Sequence, residues 1–248
     1  GLGEKKMESA APPEFFKLFP VTIPPKINEK YYGGFCNSTI WPLFHYFPSR
    51  TVYDPEDFEA YSHVNNIYLK KLKEVIQPGD FIWVHDYQLF LLPQLIRKHL
   101  PEAVIGFFLH IPFPSFEIFR LLPRQWRVAI LSGITGADVA GFHTNDYAQH
   151  FLKSVKRTLG YKVSQNIINV DGRLSKADTF PIGIDYEKFN SSCSAEKVIS
   201  HKAKLKKVLV DRKLVFSIDR LDYSKGLISR LKAYELFLEK YPGWHFKV

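Results

Sequence analysis

Sulfur is nearly missing from this chain. Among 248 residues there are two cysteines, Cys36 and Cys193, and one methionine. Two thiols far apart, with no leader segment upstream, favour reduced cysteines in a cytoplasmic protein over a disulfide framework. Long apolar runs are missing too. No stretch approaches the roughly 20 residues of a membrane span. The opening GLGEKKMESAAPPEFF lacks the apolar core of a secretory signal. Several chemistries lose their short signatures. There is no G-x-x-x-x-G-K-[ST] loop for an NTPase and no G-x-S-x-G elbow for a hydrolase. Cys/His spacing of the zinc type is absent, as is an RNP-type aromatic strand for RNA.

What is present is basic. Lys and Arg number 34 against 25 Asp and Glu, a formal charge of +9. Such a balance favours anionic partners: nucleic acid, phosphorylated metabolites or acidic membranes. Part of the excess is local, in Lys197, Lys202, Lys204, Lys206, Lys207, Arg212 and Lys213. The plain reading of that run is a solvated helix face, and charge alone is the case for nucleic acid. With 46% hydrophobic residues the composition is that of an ordinary globular protein, long enough for one domain or two.

The informative stretch is 81–120. Phe81 to Val84 is apolar and stops at His85-Asp86; Val104 to Leu109 is apolar and stops at His110. Each run is followed by a helical pattern. Short continuous apolar runs predict strands buried on both faces, and their alternation with helices predicts an α/β fold with a parallel sheet. Ligands of such sheets sit outside the carboxyl ends of the strands. Asp86 and His110 are therefore expected side by side at one crevice. There they could bind hydroxyls or move protons, or serve only as a helix cap and a satisfied histidine. His85, His110 and His143 fall at successive strand ends, but in no metal-ligand spacing.

Elsewhere the pattern predicts a strand over 15–23, a helix from Ile27 that breaks at Gly33-Gly34, and a helix over 58–76. Strand 138–142 precedes a helix over 145–159, with Thr144 or Asn145 as cap and Gly160 beyond its end. Ser115 is a plausible cap for the helix after Pro114. Residues 178–182 read as a strand leading into the turn PIGID, and the domain boundary is placed near 190. Strands are expected over 214–218 and 244–248. Between them, DRLDYSKG puts Arg220, Lys225 and Gly226 at a helix N-terminus, where free amides and the helix dipole favour an anion. Two cations there could stabilise a departing diphosphate. An Arg–Asp surface pair with a solvated Lys is the alternative.

Six motifs together, YGGFCNSTIWPLFHY, WVHDYQLFLLP, GFFLHIPFPSFEIFR, GFHTNDYAQHF, FPIGID and FSIDRLDYSKGL, resemble the trehalose-6-phosphate synthases, glycosyltransferase family 20. They occur in the family's order over about residues 31–248. The resemblance implies a GT-B fold, with two Rossmann-like domains facing each other across a cleft. These would be 1–190 on the acceptor side and 191–248 as the start of the donor side. It implies transfer of glucose from UDP-glucose to glucose 6-phosphate, with retention and without a metal or other cofactor. Carried over by motif, Tyr32 and Trp41 would line the acceptor pocket and Asp86 would hold the acceptor sugar. His110 would contact the transferred glucose, and Arg220 and Lys225 the donor diphosphate. A membrane or nucleic-acid partner is not expected; homo-oligomerisation is left open. The family's glycine-rich phosphate loop would precede residue 1, and its acidic ribose motif would follow residue 248. The segment is therefore expected to be inactive as an isolated polypeptide. A catalytically silent regulatory relative, or a GT-B transferase with a different phosphorylated acceptor, are the competing expectations.

Overall fold

The computed structural model describes residues 16–210 and 212–248. Two compact units emerge, Gly1–Pro181 and Ile182–Val248. The first carries a six-stranded sheet in the order β1-β2-β3-β6-β5-β4. Its elements begin with α1 (Pro25–Asn28), a π-helix (Glu29–Ile40) and α2 (Trp41–Phe44), which run on without a break. Next come α3 (Pro55–Val75), β1 (Phe81–His85), α4 (Leu92–His99), β2 (Val104–Phe108), α5 (Phe116–Phe119), α6 (Arg124–Ile134), β3 (Val139–Phe142) and α7 (Asn145–Leu159). The antiparallel strands β4 (Lys162–Ser164) and β5 (Ile167–Val170) lead into β6 (Arg173–Thr179).

The parallel half of the sheet follows from the apolar runs. β1 pairs β2, β2 pairs β3 and β3 pairs β6, all parallel. The antiparallel half was not expected. Both of its turns use residues with positive φ: Gln165 and Asn166 at 47° and 67°, Asp171 and Gly172 at 50° and 93°. Positive φ at both central residues is the two-residue hairpin geometry whose twist matches the flanking strands. The sixth strand ends at Thr179, not within an expected strand over 178–182.

Burial corrects a second expectation. β1 alternates instead of being buried on both faces: Ile82 and Val84 are buried, while Phe81 is 83% and Trp83 67% exposed. Successive side chains point to opposite faces, and the core lies on one of them. Ile82, Val84, Ile105, Phe107, Ala140 and Phe142 meet a layer of fully buried rings that includes Phe44, Phe90, Phe113, Phe119 and Phe151. Phe113 is the hub, with ring centroids 5.1 to 5.5 Å from Phe119, Phe151 and Phe44.

Residues 16–23 form no strand; Phe15 lies outside the described residues. Nor does the helix break at Gly33-Gly34. The Asp57 carboxylate sits 2.3 Å from where a Gly34 Cβ would stand, so this glycine admits a neighbour. Close approach also explains Gly133 in α6, where a Cβ would come 2.1 Å from the Phe90 carbonyl oxygen and 2.8 Å from Leu91 Cα. These are backbone atoms that cannot step aside. Gly133→Ala is expected to destabilise the first unit by at least the 1–3 kcal/mol typical of overpacking, measured by chemical denaturation; an unchanged midpoint would contradict it. Thr144 caps α7 by accepting from the Tyr147 amide at 3.4 Å, and Gly160 follows in the left-handed conformation. Ser115 makes no side-chain cap; only its carbonyl receives the amides of Ile118 and Phe119.

The second unit contains α8 (Tyr186–Ser192), α9 (Glu196–Leu209) and α10 (Leu227–Lys240). The strands expected over 214–218 and 244–248 are not formed among its described residues. A single backbone bond, Lys213 N–H to the Lys247 carbonyl at 2.7 Å, joins the two segments. One rung does not make a ladder, and Val215, Phe216 and Ile218 stay more than two-thirds exposed. The basic run 197–207 is, as read, an exposed face of α9. No helix among the described residues is long and apolar enough to cross a membrane. Cys36 and Cys193 are both free.

Candidate functional site

Asp86 follows β1 directly and holds φ 70° with ψ 174°. That combination is essentially reserved for glycine, and an L-residue there costs about 1–3 kcal/mol. Three bonds fix it. Its amide donates to the Phe108 carbonyl at 2.8 Å, its carbonyl accepts from Leu89 N–H at 3.2 Å, and its Oδ1 accepts from His110 N–H at 3.1 Å. Asp86 and His110 thus meet at the carboxyl ends of β1 and β2. Strain retained at a strand end, with a carboxylate as its product, points to use of that carboxylate.

The histidines form a row. His85 Nδ1 lies 2.9 Å from His110 Nε2, and the His110 and His143 ring centroids are 5.9 Å apart. Burial, then the neighbouring His110, lowers the pKa of His85 below the ordinary imidazole value. Among the described residues no group of three His, Cys, Asp or Glu side chains is arranged to hold a metal ion.

The π-helix approaches the same strand end. Its signature is the i→i−5 bond from Trp41 N–H to the Cys36 carbonyl. Nine positions along an α-helix, at about 100° each, set Tyr32 and Trp41 half a turn apart. Widening the turn by i→i+5 bonding returns them to about the same face. Burial agrees: Tyr31, Phe35, Cys36 and Ile40 point inward, while Tyr32, Asn37 and Trp41 are exposed or half-buried. Asn37 Oδ1 accepts from the Tyr87 hydroxyl at 3.3 Å, and the Trp41 ring lies 5.9 Å from the Tyr87 ring. The buried Cys36 thiol is pushed well above its ordinary pKa, first by burial and then by the Asp86 carboxylate. Asp86 and His110 are thus in contact, and Trp41 and Asn37 reach the same strand end through Tyr87; Tyr32 lies on the exposed side of the π-helix, without a recorded contact to Asp86 or His110 among the described residues. Asn37 stands outside the sequence reading; His85 enters it only as one of three histidines at successive strand ends, not as a partner of His110.

In the second unit, Asp222 caps the short turn Tyr223–Lys225 by accepting from Ser224 N–H at 2.8 Å. Burial would raise its carboxyl, but the Ser224 bonds and the charges of Arg220 and Lys225 outweigh it and hold the pKa below the usual range. Gly226, left-handed at φ 63°, opens α10. Arg230 bonds both Asp219 at 2.8 Å and the Lys225 carbonyl at 3.3 Å, so the loop is braced from the helix. Asp219 is thus engaged by Arg230. Arg220 and Lys225 share the field of Asp222 at a helix N-terminus, an arrangement suited to an anion.

The model of glycosyltransferase family 20 matches residues 3–248. The chain belongs to glycosyltransferase family 20. Among its relatives, a bifunctional trehalose-6-phosphate synthase/phosphatase of Thermoproteus tenax is 46% identical over 227 residues, covering 92% of this chain and 31% of that protein. A UDP-forming alpha,alpha-trehalose-phosphate synthase of Aspergillus fumigatus is 43% identical over 237 residues, covering 94% and 46%. Two solved structures of the family share the fold. The Burkholderia xenovorans synthase in complex with glucose-6-phosphate has a TM-score of 0.80 at 33% identity, with 90% of this chain and 50% of that one covered. The E. coli protein bound with UDP-2-fluoro glucose has a TM-score of 0.82 at 34% identity, covering 91% and 50%. The family's architecture is GT-B, and this chain supplies an α/β part of it with a mixed, mostly parallel sheet. The chain spans about a third to a half of the length of these relatives.

Proposed function

We propose that the protein carrying this chain is a retaining glycosyltransferase that moves glucose from UDP-glucose to glucose 6-phosphate, giving trehalose 6-phosphate and UDP. The observation that carries the reading is Asp86, held at a backbone conformation that glycine would adopt more cheaply and bonded to the His110 amide, with Trp41 packed near the adjoining Tyr87. The two ligand-bound relatives hold the matching acceptor and a donor analogue. Asp86, Tyr32 and Trp41 orient glucose 6-phosphate, and His110 holds the transferred glucose. Arg220 and Lys225 take the donor diphosphate. The bond from the anomeric carbon to the diphosphate breaks as the bond to the acceptor hydroxyl forms. The acceptor proton passes to the departing phosphate oxygen on the same face, and the two cations stabilise the charge left there. The protein acts in the cytoplasm, where both thiols stay reduced.

UDP release by the full-length protein, assayed with a panel of acceptors, tests this. Release is expected with glucose 6-phosphate and not with glucose or glycerol phosphate. A preference for another phosphorylated acceptor would favour a different transferase. No turnover with any acceptor would favour a silent regulatory relative.

A further inference from the structure

We propose that His85 is a positioning residue for His110: the bond between its Nδ1 and His110 Nε2 sets the orientation of the His110 ring and the nitrogen it offers to the transferred sugar. This rests on the reading of His110 as the residue that holds that sugar. A hydrogen bond between two imidazoles contains one proton, because two N–H groups cannot face each other. With Nε2 engaged at 2.9 Å, His110 has only Nδ1 left for a ligand. When the shared proton belongs to His85 Nδ1, neutral His110 carries its own on Nδ1 and donates to a sugar hydroxyl. When it belongs to His110 Nε2, the same Nδ1 accepts. His85 thus decides which.

The surroundings keep His85 in this role. The Trp83 ring packs 4.4 Å from its ring, and the two imidazoles lie 5.2 Å apart at 29°. The Phe108 and His143 rings also pack near His110, at 4.8 and 5.9 Å. Among the described residues the acid recorded at the pair is Asp86, whose Oδ1 accepts from the His110 amide. Among the described residues, the titratable groups recorded against the pair are Asp86 and His143. Burial and the neighbouring His110 lower the pKa of His85 and so favour its neutral form, the one able to serve either as donor or as acceptor.

The test uses the full-length protein with 15N-labelled histidine, together with its kinetics. His85→Ala is expected to mix the His110 tautomers and to lower kcat by about 10-fold, the lower end of what outer partners of a functional histidine carry, with KM for glucose 6-phosphate unchanged. His85→Asn places an amide, which does not titrate, near the Nδ1 position. It should recover most of kcat and remove the His85 ionisation from the acid limb of the pH profile. Parental tautomers in His85→Ala, or parental kcat and acid limb, would overturn the proposal. So would His85→Asn being as impaired as His85→Ala. His110→Ala separates the two levels. If it turns over normally, the role of His110 itself fails; if it is impaired while His85→Ala is not, only the positioning role fails.

Discussion

Asp86→Asn in the full-length protein is expected to cut kcat/KM for glucose 6-phosphate by about 10- to 100-fold, the value of a bond to a charged acceptor. The amide keeps the shape and an oxygen for the His110 N–H, but loses the charge that a sugar hydroxyl would donate to. Two further variants separate this from a structural role. Asp86→Ala keeps a Cβ at φ 70° and so keeps the strain, while losing the bond to His110; it should be both inactive and less stable. Asp86→Gly sheds about 1–3 kcal/mol of strain. Against that it gives up a bond to a charged acceptor, worth about 1.5–3 kcal/mol, and some backbone entropy. Its melting temperature should stay near the parent's although its activity is lost. An Asp86→Gly protein that melts well below the parent, or an Asp86→Asn protein with parental kinetics, would contradict the assignment.

Lys225→Ala should lower kcat by about 100-fold, judged from the loss of a single preorganised donor to developing charge. The lysine shares the field of Asp222 with Arg220 at the entrance to α10, and no salt bridge among the described residues occupies it. Its removal leaves the Asp222 cap on Ser224 intact, so stability should hardly change. Lys225→Arg should recover only part of the rate, since a fork is not a point charge. Unchanged turnover in Lys225→Ala would show that the lysine is solvated and idle.

The parts of this protein that the sequence reveals are those where one physical signal dominates. The runs ending at His85 and His110 have apolar stretches with sharp polar stops, and they became adjacent parallel strands with Asp86 and His110 in contact. Thr144 and Gly160 bracket α7 because capping chemistry is local. What escaped was set by neighbours. The hairpin strands β4 and β5 are three and four residues long, too short for a period to show, although Asp171-Gly172 between apolar runs is a turn signal that was there to be read. Gly33-Gly34 looked like a break because the need of Asp57 for space beside Gly34 is a tertiary fact. The π-helix has no sequence signature of its own, so Asn37 joining the face of Tyr32 and Trp41 could not be foreseen from α-helical spacing. The apolar run Phe81 to Val84 suggested two buried faces; Phe81 and Trp83 on the open one show that hydrophobicity alone does not say which face is covered.

The most direct test of the central claim is the structure of the product. Full-length protein incubated with UDP-glucose and glucose 6-phosphate, with products followed by proton NMR, should give UDP and one new disaccharide phosphate whose two anomeric protons both carry the small coupling of an α linkage. A β coupling at the transferred glucose, or no new anomeric signal that depends on glucose 6-phosphate, would contradict the account.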